Sequence, residues 1–355
     1  MHIVIYQIHK TQMTNYKIII FFLFLPSFIF AQIGGNQTYK FLELTNSARA
    51  ASLGGSIISI KEADLALTYH NPALLCDTML NNLVLNYVNY FADINYGYLA
   101  YARNYKKIGN LSIGLHYINY GNFLETNELG EKLGEFKAAE YAFNFIWANK
   151  LNNFISYGVN FKPIVSNLEH YTSIGVAIDA GILYENEKHL TNIAFVIKNF
   201  GTQLTSYTEN NREKLPLELQ LGVTKALEHA PFRISVVYRH IENWNLRFDS
   251  PSEATTTNIF NEKPKEKTEI SKFSDNLMRH LVYGIEFIPF KSFYFNFSYN
   301  HQRRMELSLQ QIGGTTGFSW GFGLNLARFN LAYGRAAYHV AGASNHFSFS
   351  TRIKK

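Results

Sequence analysis

The sequence predicts an all-β fold: a 14-stranded antiparallel transmembrane β-barrel of the outer-membrane type, with an N-terminal plug or hatch segment. Three observations support this. Large apolar residues alternate with small or polar ones through about fourteen segments. Most segments are about ten residues long, the length a tilted strand needs to cross a bilayer. The connections between them mostly switch between short and long.

The alternation is clearest near the end of the chain. In residues 318–327, large apolar side chains alternate with serine, glycine, asparagine and alanine, and the same period of two recurs in residues 232–239 and 293–300. Successive side chains of a strand point to opposite faces, so each segment has one lipid-facing wall and one lumen-facing wall. We therefore expect Phe322→Arg to impair insertion and Gly323→Ser, on the lumen face, to cost little.

The predicted strands are longer than the five or six residues that are typical of soluble proteins. They span residues 83–91, 95–105, 110–120, 138–149, 154–165, 173–184, 190–200, 215–226, 232–242, 279–288, 293–302, 315–326, 329–338 and 344–353.

If the N-terminus lies in the periplasm, alternate connections between the strands are short inner turns and mostly longer outer loops. The predicted inner turns are all short. Short inner turns with longer outer loops are the outer-membrane pattern, whereas a periplasmic or secreted β-sandwich, which would also alternate, gives no reason for such sorting. The long predicted extracellular loops are residues 121–137, 201–214, 242–278 and 303–314, and the short outer connections are 92–94 and 339–343.

Residues 1–31 have the pattern of a signal peptide. Lys10 and Lys17 precede an apolar core, and Ala31 is a small residue suitable for cleavage. The apolar core is too short to span a membrane as a helix. The true start is Met1 or Met13, and the pattern predicts export to the bacterial outer membrane.

Two further regions follow the signal peptide. Residues 32–81 are rich in alanine, glycine, serine and asparagine and lack the long alternation. Such a segment before a barrel either hangs in the periplasm or folds inward, and its small residues favour close packing in a lumen. We predict a plug or hatch over residues 32–81 and the barrel over residues 82–355.

The composition fits a barrel and argues against a nucleic-acid partner. Aromatic residues make up 15% of the 355 residues and charged residues only 17%, as expected where aromatic girdles lie at both membrane interfaces. The formal net charge is +6, and removing residues 1–31, which hold two lysines and no acidic residue, leaves +4. This weak charge, with no basic run, is not the footprint of a nucleic-acid-binding surface.

Three stretches of the predicted plug carry a family resemblance: residues 39–44, 47–55 and 71–75. They resemble the N-terminal signature of the PorQ family of type IX secretion outer-membrane proteins, which are relatives of the PorV barrels. More distantly, the Asn-Pro-Ala element and a hatch ahead of fourteen strands resemble the FadL family of hydrophobic-compound transporters. The motif residues, to which we assign structural roles in the plug, are Phe41, Leu44, Ser47, Arg49, Leu53, Gly54, Gly55, Asn71, Pro72 and Ala73.

The resemblance implies a role without chemistry. PorQ-like proteins are similar to outer-membrane anchors of a cell-surface attachment complex, which receives secreted cargo, removes its sorting signal and links it to lipopolysaccharide. The implied partners are a PorZ-like surface subunit, the PorU/PorV complex, and outer-membrane lipid and lipopolysaccharide. The alternative is a FadL-like transporter of small hydrophobic molecules, since a fourteen-stranded barrel is wide enough for a channel or a plugged lumen.

We predict no catalytic residue, no cofactor and no metal site. Residues 317–321 fit the G-x-S-x-G pattern of a nucleophile elbow, which requires a turn from strand to helix, but Ser319 is predicted in mid-strand on the lumen face. S-x-x-K, H-E-x-x-H and G-x-x-x-x-G-K are absent from the sequence. The remaining enzymatic alternative is a hydrolase with serine, histidine and aspartate on separate strands.

The longest predicted outer loop, residues 242–278, has two interpretations. It is either a solvated, disordered loop or a segment that becomes ordered on a partner, because loops on a rigid scaffold often carry recognition. The candidate partner-contact residues in it are Glu262, Lys263, Lys265, Glu266 and Lys267.

Overall fold

The chain folds into a closed antiparallel barrel of fourteen strands, which confirms the predicted fold class. Each strand pairs with its neighbours in the chain, and the first strand pairs with the last, with Tyr87 opposite Phe347. The predicted signal peptide and residues 32–36 of the predicted plug lie outside the described residues. The structure, a computed structural model, describes residues 37–91, 94–105, 108–209, 211–247, 268–307, 314–339 and 342–353.

Most strands begin and end within a few residues of their predicted limits. They are β1 (Asn82–Asn89), β2 (Asn95–Tyr105), β3 (Gly109–Thr126), β4 (Lys132–Lys150), β5 (Ile155–Leu168), β6 (Tyr171–Asn186), β7 (Thr191–Thr205), β8 (Glu218–Ala226), β9 (Phe232–Tyr238), β10 (Leu281–Phe290), β11 (Phe293–Asn300), β12 (Phe318–Asn325), β13 (Phe329–His339) and β14 (Gly342–Arg352). The α-helices are α1 (Ala48–Ser52), α2 (Glu269–Arg279) and α3 (His301–Leu307), and short 3₁₀ helices span Lys40–Glu43, Leu65–Tyr69, Pro72–Leu74 and Asp77–Met79.

The two faces of the wall follow the predicted alternation. Along β12, Trp320 and Phe322 point outward and are exposed, whereas Ser319 and Gly321 point inward and are buried. Every strand carries at least one exposed large apolar side chain. These side chains form the lipid-facing belt that an outer-membrane barrel requires.

The expectation that Gly323→Ser costs little is wrong. A Cβ atom at this position would lie 2.1 Å from Cζ of Tyr294. The lumen face is therefore not loosely packed here, because a side chain from the neighbouring strand β11 fills the space over the glycine.

Three connections at one end of the barrel are long: residues 206–217, 239–280 and 301–317. Every connection at the opposite end, such as residues 151–154 and 326–328, is short. This sorting matches the predicted orientation, and we call the end with the long connections the outer end.

Residues 121–137, predicted as an outer loop, are mostly strand. β3 continues to Thr126 and β4 begins at Lys132. Gly121 has a φ of +86° and lies where the register shifts between Asn119 and Asn122. The glycine therefore accommodates a bulge and does not end the strands. Residues 201–205 of the next predicted loop likewise belong to β7.

Helices occupy parts of the other two predicted outer loops. Helix α2 begins after Thr268, whose Oγ1 accepts a hydrogen bond of 3.3 Å from the backbone N–H of Ser271, as an N-cap residue does. Helix α3 directly follows β11 and covers the start of the loop predicted at 303–314. No helix in the described part of the chain combines the length and apolar character needed to cross a membrane.

Candidate functional site: the hatch in the barrel lumen

Residues 37–81, here called the hatch, pack against the inward faces of the strands. Helix α1 contacts β11 to β14, and the 3₁₀ helix Pro72–Leu74 contacts β4, β5 and β6. Apolar hatch side chains such as Leu53 and Ile58 share a buried core with inward side chains of the wall, including Val196 and Val237. The hatch therefore occupies the lumen.

Glycines of the wall let helix α1 approach the backbone of the strands. A Cβ atom at Gly334 would lie 2.2 Å from the carbonyl oxygen of Ala48, and one at Gly321 would lie 2.6 Å from Cβ of Ser52. The backbone N–H of Ala48 donates a hydrogen bond of 2.9 Å to Oγ of Ser348. The wall and the hatch are thus complementary in shape, as tight packing of a buried interface requires.

The Leu53-Gly54-Gly55 motif has a structural explanation. Gly54 and Gly55 have φ values of +90° and +95°, which non-glycine residues rarely adopt. A Cβ at Gly54 would also lie 2.3 Å from Cγ1 of Val282. From helix α3, Arg303 donates hydrogen bonds to the Gly54 carbonyl oxygen at 3.3 Å and to Oγ of Ser319 at 3.2 Å. Arg303, at the outer end of the barrel, therefore links the Gly54-Gly55 turn of the hatch to the wall.

The Asn71-Pro72-Ala73 element lies against glycines of β5 and β6. Oδ1 of Asn71 accepts a hydrogen bond of 2.9 Å from the N–H of Ala73, and its Nδ2 donates one of 2.7 Å to the carbonyl oxygen of Ile58. Asn71 thereby caps a 3₁₀ helix that Pro72 begins. A Cβ at Gly181 would lie 2.1 Å from Oδ1 of Asn71.

We expect Gly181→Ala to destabilise the folded protein by about 1–3 kcal/mol, the usual cost of overpacking a tight core. The added methyl group would collide with the capping atom of Asn71. Urea unfolding of the barrel in detergent micelles measures this loss. Gly134→Ala is the matched control, because its Cβ would meet only Oε2 of Glu125, at 3.3 Å; equal losses for both variants would contradict the packing described for Asn71.

Arg49 is the centre of a buried charge cluster that joins the hatch to the wall. Its Nη2 lies 2.8 Å from Oε1 of Glu286 on β10, and its Nη1 lies 3.0 Å from Oε2 of Glu62 in the hatch. Arg233 on β9 pairs with both carboxylates, with Nε 2.8 Å from Oε2 of Glu286. The Arg49 guanidinium also lies 4.5 Å from the ring centre of Tyr294, within cation–π range.

The cluster contains two positive and two negative groups. Burial raises the pKa of the Glu62 carboxyl, but the guanidinium groups of Arg49 and Arg233 outweigh it and lower this pKa to about 2. Glu62 is therefore ionised at neutral pH. Because Arg49 and Glu286 are only 3% and 1% exposed, removing one charge would leave another buried without compensation.

A second buried ion pair joins the middle of β5 to the middle of β6. Nζ of Lys162 lies 2.7 Å from Oδ1 of Asp179. Nζ of Lys162 and of Lys198 are 5.7 and 5.6 Å from the ring centre of hatch residue Tyr69. The Tyr69 hydroxyl donates a hydrogen bond of 3.0 Å to the carbonyl oxygen of Leu42. Cationic wall residues thus hold an aromatic residue of the hatch.

The other motif residues also have structural positions. Phe41 is buried, with its ring centre 5.4 Å from that of His116. Leu44 packs against the apolar cluster that contains Phe41. Ser47 caps helix α1 by accepting a hydrogen bond of 3.4 Å from the N–H of Ala50. All ten motif residues lie in the hatch, although they contact different parts of the wall.

The candidate contact residues of the long outer loop lie outside the described residues. They are Glu262, Lys263, Lys265, Glu266 and Lys267. Among the residues that are described, no three His, Cys, Asp or Glu side chains are grouped to hold a metal ion.

The partners of Arg49 were missed by the sequence analysis. Glu286 lies between Ile285 and Phe287 at an inward position of a strand. A charge at such a position is costly unless it is paired, so it signals a partner elsewhere in the lumen. The sequence does not identify that partner, because Arg49, Glu62 and Arg233 come from distant parts of the chain.

A cavity of about 220 Å³ lies beside the charge cluster, between the hatch and the wall formed by β11 to β14 and β1. Arg49, Asp64 and Tyr294 line one part of it, and Asn330 and Ala332 line the wall near the short turns. At the inner end the hatch therefore leaves a small space that both polar and apolar side chains line.

The chain is similar to several solved barrel structures. The Pseudomonas putida toluene transporter TodX has 13% identity and a TM-score of 0.48, covering 87% of this chain and 98% of its own. A deltaS2 mutant of the TodX monoaromatic hydrocarbon channel has 11% identity and a TM-score of 0.49, covering 88% and 100%. A Pseudomonas aeruginosa FadL homologue has 11% identity and a TM-score of 0.43, covering 87% and 98%. No protein-family model and no curated protein sequence matches the chain.

Proposed function

We propose that this chain is an outer-membrane platform of the type IX secretion attachment machinery, in which a barrel with a fixed hatch holds a PorZ-like surface subunit. The proposal assigns it no enzymatic activity. The observation that carries it is the attachment of the hatch along its length: at Gly54 by Arg303, at Arg49 by Glu286, and at Asn71 by tight packing on Gly181. A hatch held in this way suits a permanent membrane anchor better than a gate that must move.

The sequence resemblance supports the choice of machinery. The residues that carry it, from Phe41 to Ala73, all lie in the hatch. The proposed partners remain the PorZ-like subunit, the PorU/PorV complex and lipopolysaccharide, and the proposed contact loop includes Glu262 to Lys267.

The second candidate function is transport of small hydrophobic molecules. Two observations favour it: the cavity of about 220 Å³ beside the hatch and the apolar clusters that the hatch shares with the wall. The TodX structures are named for transport of toluene and monoaromatic hydrocarbons. Such transport by this chain would require a path for the molecule past the hatch.

Two assays on the intact protein decide between the candidates. Affinity purification from detergent-solubilised outer membrane is expected to recover a surface subunit, and liposomes containing the purified barrel are expected to show no faster toluene uptake than empty ones. Stimulated uptake with no recovered subunit would contradict the platform and support transport.

A deletion of residues 255–267 tests the outer loop. It preserves Thr268, the N-cap of helix α2. We expect the barrel to stay folded and heat-modifiable while recovery of the surface subunit falls. Ser319→Ala is the control: losing the hydrogen bond from Arg303 should cost about 1 kcal/mol and leave recovery unchanged. If Ser319→Ala abolishes an assayable activity while the deletion leaves the partner bound, the hydrolase alternative replaces the platform.

A further inference from the structure

Strands β3 and β4 extend beyond both of their neighbours at the outer end. The last pair that β3 makes with β2 is Asn119 with Asn95, and β4 begins pairing with β5 at Ala138. From there β3 and β4 pair only with each other among the described residues, as far as Thr126 and Lys132. We call residues 120–137 the outer ribbon. The ribbon contains seven residues of β3 and six of β4, which correspond to a projection of about 20 Å along the strands.

Both edges of the outer ribbon are open. In the described structure, residues 122–136 form no ladder with any strand other than each other. Unpaired N–H and C=O groups along an edge are a template for a further strand. The ribbon is also stiffened by a stacked pair, since the rings of Phe123 and Phe136 are 5.1 Å apart with an interplanar angle of 16°.

The outer ribbon exposes large apolar side chains beyond the point where β3 and β4 pair with their outer neighbours. Leu129 is 84% exposed, Leu133 62% and Leu124 54%. A cluster of exposed apolar residues on a projecting element marks an interaction surface. The turn that carries Leu129 is well formed, because Oδ1 of Asn127 accepts hydrogen bonds from two backbone N–H groups of the turn.

The charge of the outer ribbon selects among possible occupants. Residues 121–137 contain four glutamates and two lysines, whereas the whole chain is basic. Anionic lipid or lipopolysaccharide would be repelled by this surplus of negative charge. A protein strand that carries lysine or arginine would be attracted, and complementary charge also sets the pairing specificity.

We propose that the outer ribbon binds an extended, basic segment of a surface protein by adding it as a third strand. Main-chain hydrogen bonds to the open edge supply affinity, while Leu124 and Leu133 contact apolar side chains of the added strand and the glutamates contact its cations. The inference rests on the proposed platform function, because it names the kind of partner segment that the platform receives.

Peptide binding to the full-length barrel in detergent tests this interaction. The probe is a fluorescent nine-residue peptide of alternating valine and lysine. There are two control peptides: the same peptide with a central proline, and a peptide of alternating valine and glutamate. We expect binding of the first peptide only. Two sets of substitutions in the ribbon should each weaken binding at least tenfold while the barrel stays heat-modifiable. The first set is Leu124→Ser with Leu133→Ser. The second set replaces Glu125, Glu128, Glu131 and Glu135 with glutamine. Glu187→Gln with Glu228→Gln, exposed acidic residues at the inner end, should leave binding unchanged. Equal binding of the proline peptide, or no effect of the ribbon variants, would overturn the proposal.

A photo-reactive amino acid in place of Leu133 extends the test to the outer membrane. The proposal expects a cross-link to a lysine- or arginine-rich strand of the surface subunit that purification recovers. Recovery of that subunit without a cross-link, and unaffected by the ribbon variants, would overturn this inference and leave the platform intact. Recovery of no subunit would overturn the platform, and the peptide result would then decide the ribbon by itself. Cross-linking to a second copy of this chain would also contradict the proposal.

Discussion

Glu286→Gln is expected to destabilise the folded protein by about 3–5 kcal/mol, the usual cost of removing one partner of a buried ion pair. Glu286 is 1% exposed and pairs with both Arg49 and Arg233. In the variant, two guanidinium groups would share the single carboxylate of Glu62. Urea unfolding in detergent micelles measures the loss.

A double-substitution cycle separates the charge effect from loss of packing. Arg49→Gln alone leaves two carboxylates beside Arg233 and should also be strongly destabilising. Arg49→Gln combined with Glu286→Gln leaves the balanced pair of Arg233 and Glu62, so we expect the double variant to be more stable than either single one.

The exposed pair Lys40–Glu43 provides the matched control. Its nitrogen–oxygen distance is 3.0 Å, but the lysine side chain is 58% exposed. Lys40→Gln should cost less than about 1 kcal/mol, as exposed ion pairs usually do. A loss at Glu286 no greater than at Lys40 would show that the Arg49 cluster does not hold the hatch.

Phe322→Arg is expected to cost about 2–4 kcal/mol in the membrane, because arginine on the lipid face is unfavourable near the bilayer midplane. Phe322 is 38% exposed on the outer face of β12, between strands that also present aromatic side chains. The amount of heat-modifiable barrel in the outer membrane measures insertion.

Asn330→Arg places the same charge on the opposite face. Asn330 on β13 lines the cavity near the short turns, where the guanidinium group can remain hydrated. This variant should insert nearly as well as the unchanged protein. Equal impairment by both arginines would mean that the inward and outward faces have been assigned wrongly.

The barrel was predictable because its signal is local. Alternation along residues 318–325 determines which side chains face lipid, and the structure places Phe322 outward and Ser319 inward as expected. The limits of β3 and β4 were less predictable. Glycine is a residue typical of turns, but in the structure Gly121 accommodates a bulge within a continuing strand.

The contacts of the hatch depend on distant residues. The sequence identified Arg49 and Asn71 as important but not their partners, since Glu286 and Gly181 are brought near them only when the barrel closes. The error at Gly323 has the same origin. Its lumen-facing position was predicted correctly, but the ring of Tyr294 that covers it belongs to another strand.

A disulfide between the hatch and the wall tests most directly whether the hatch occupies the lumen. Oγ of Ser59 lies 2.6 Å from Oγ1 of Thr224 on β8. Cys76, the one cysteine of the sequence, is first replaced by serine. In that background, Ser59→Cys with Thr224→Cys should form the disulfide in nearly all folded molecules, detected by mass spectrometry of the linked peptides. Ser59→Cys with Ser344→Cys, on β14 across the barrel, should not. Free thiols at positions 59 and 224 after oxidation of the folded barrel would contradict the account.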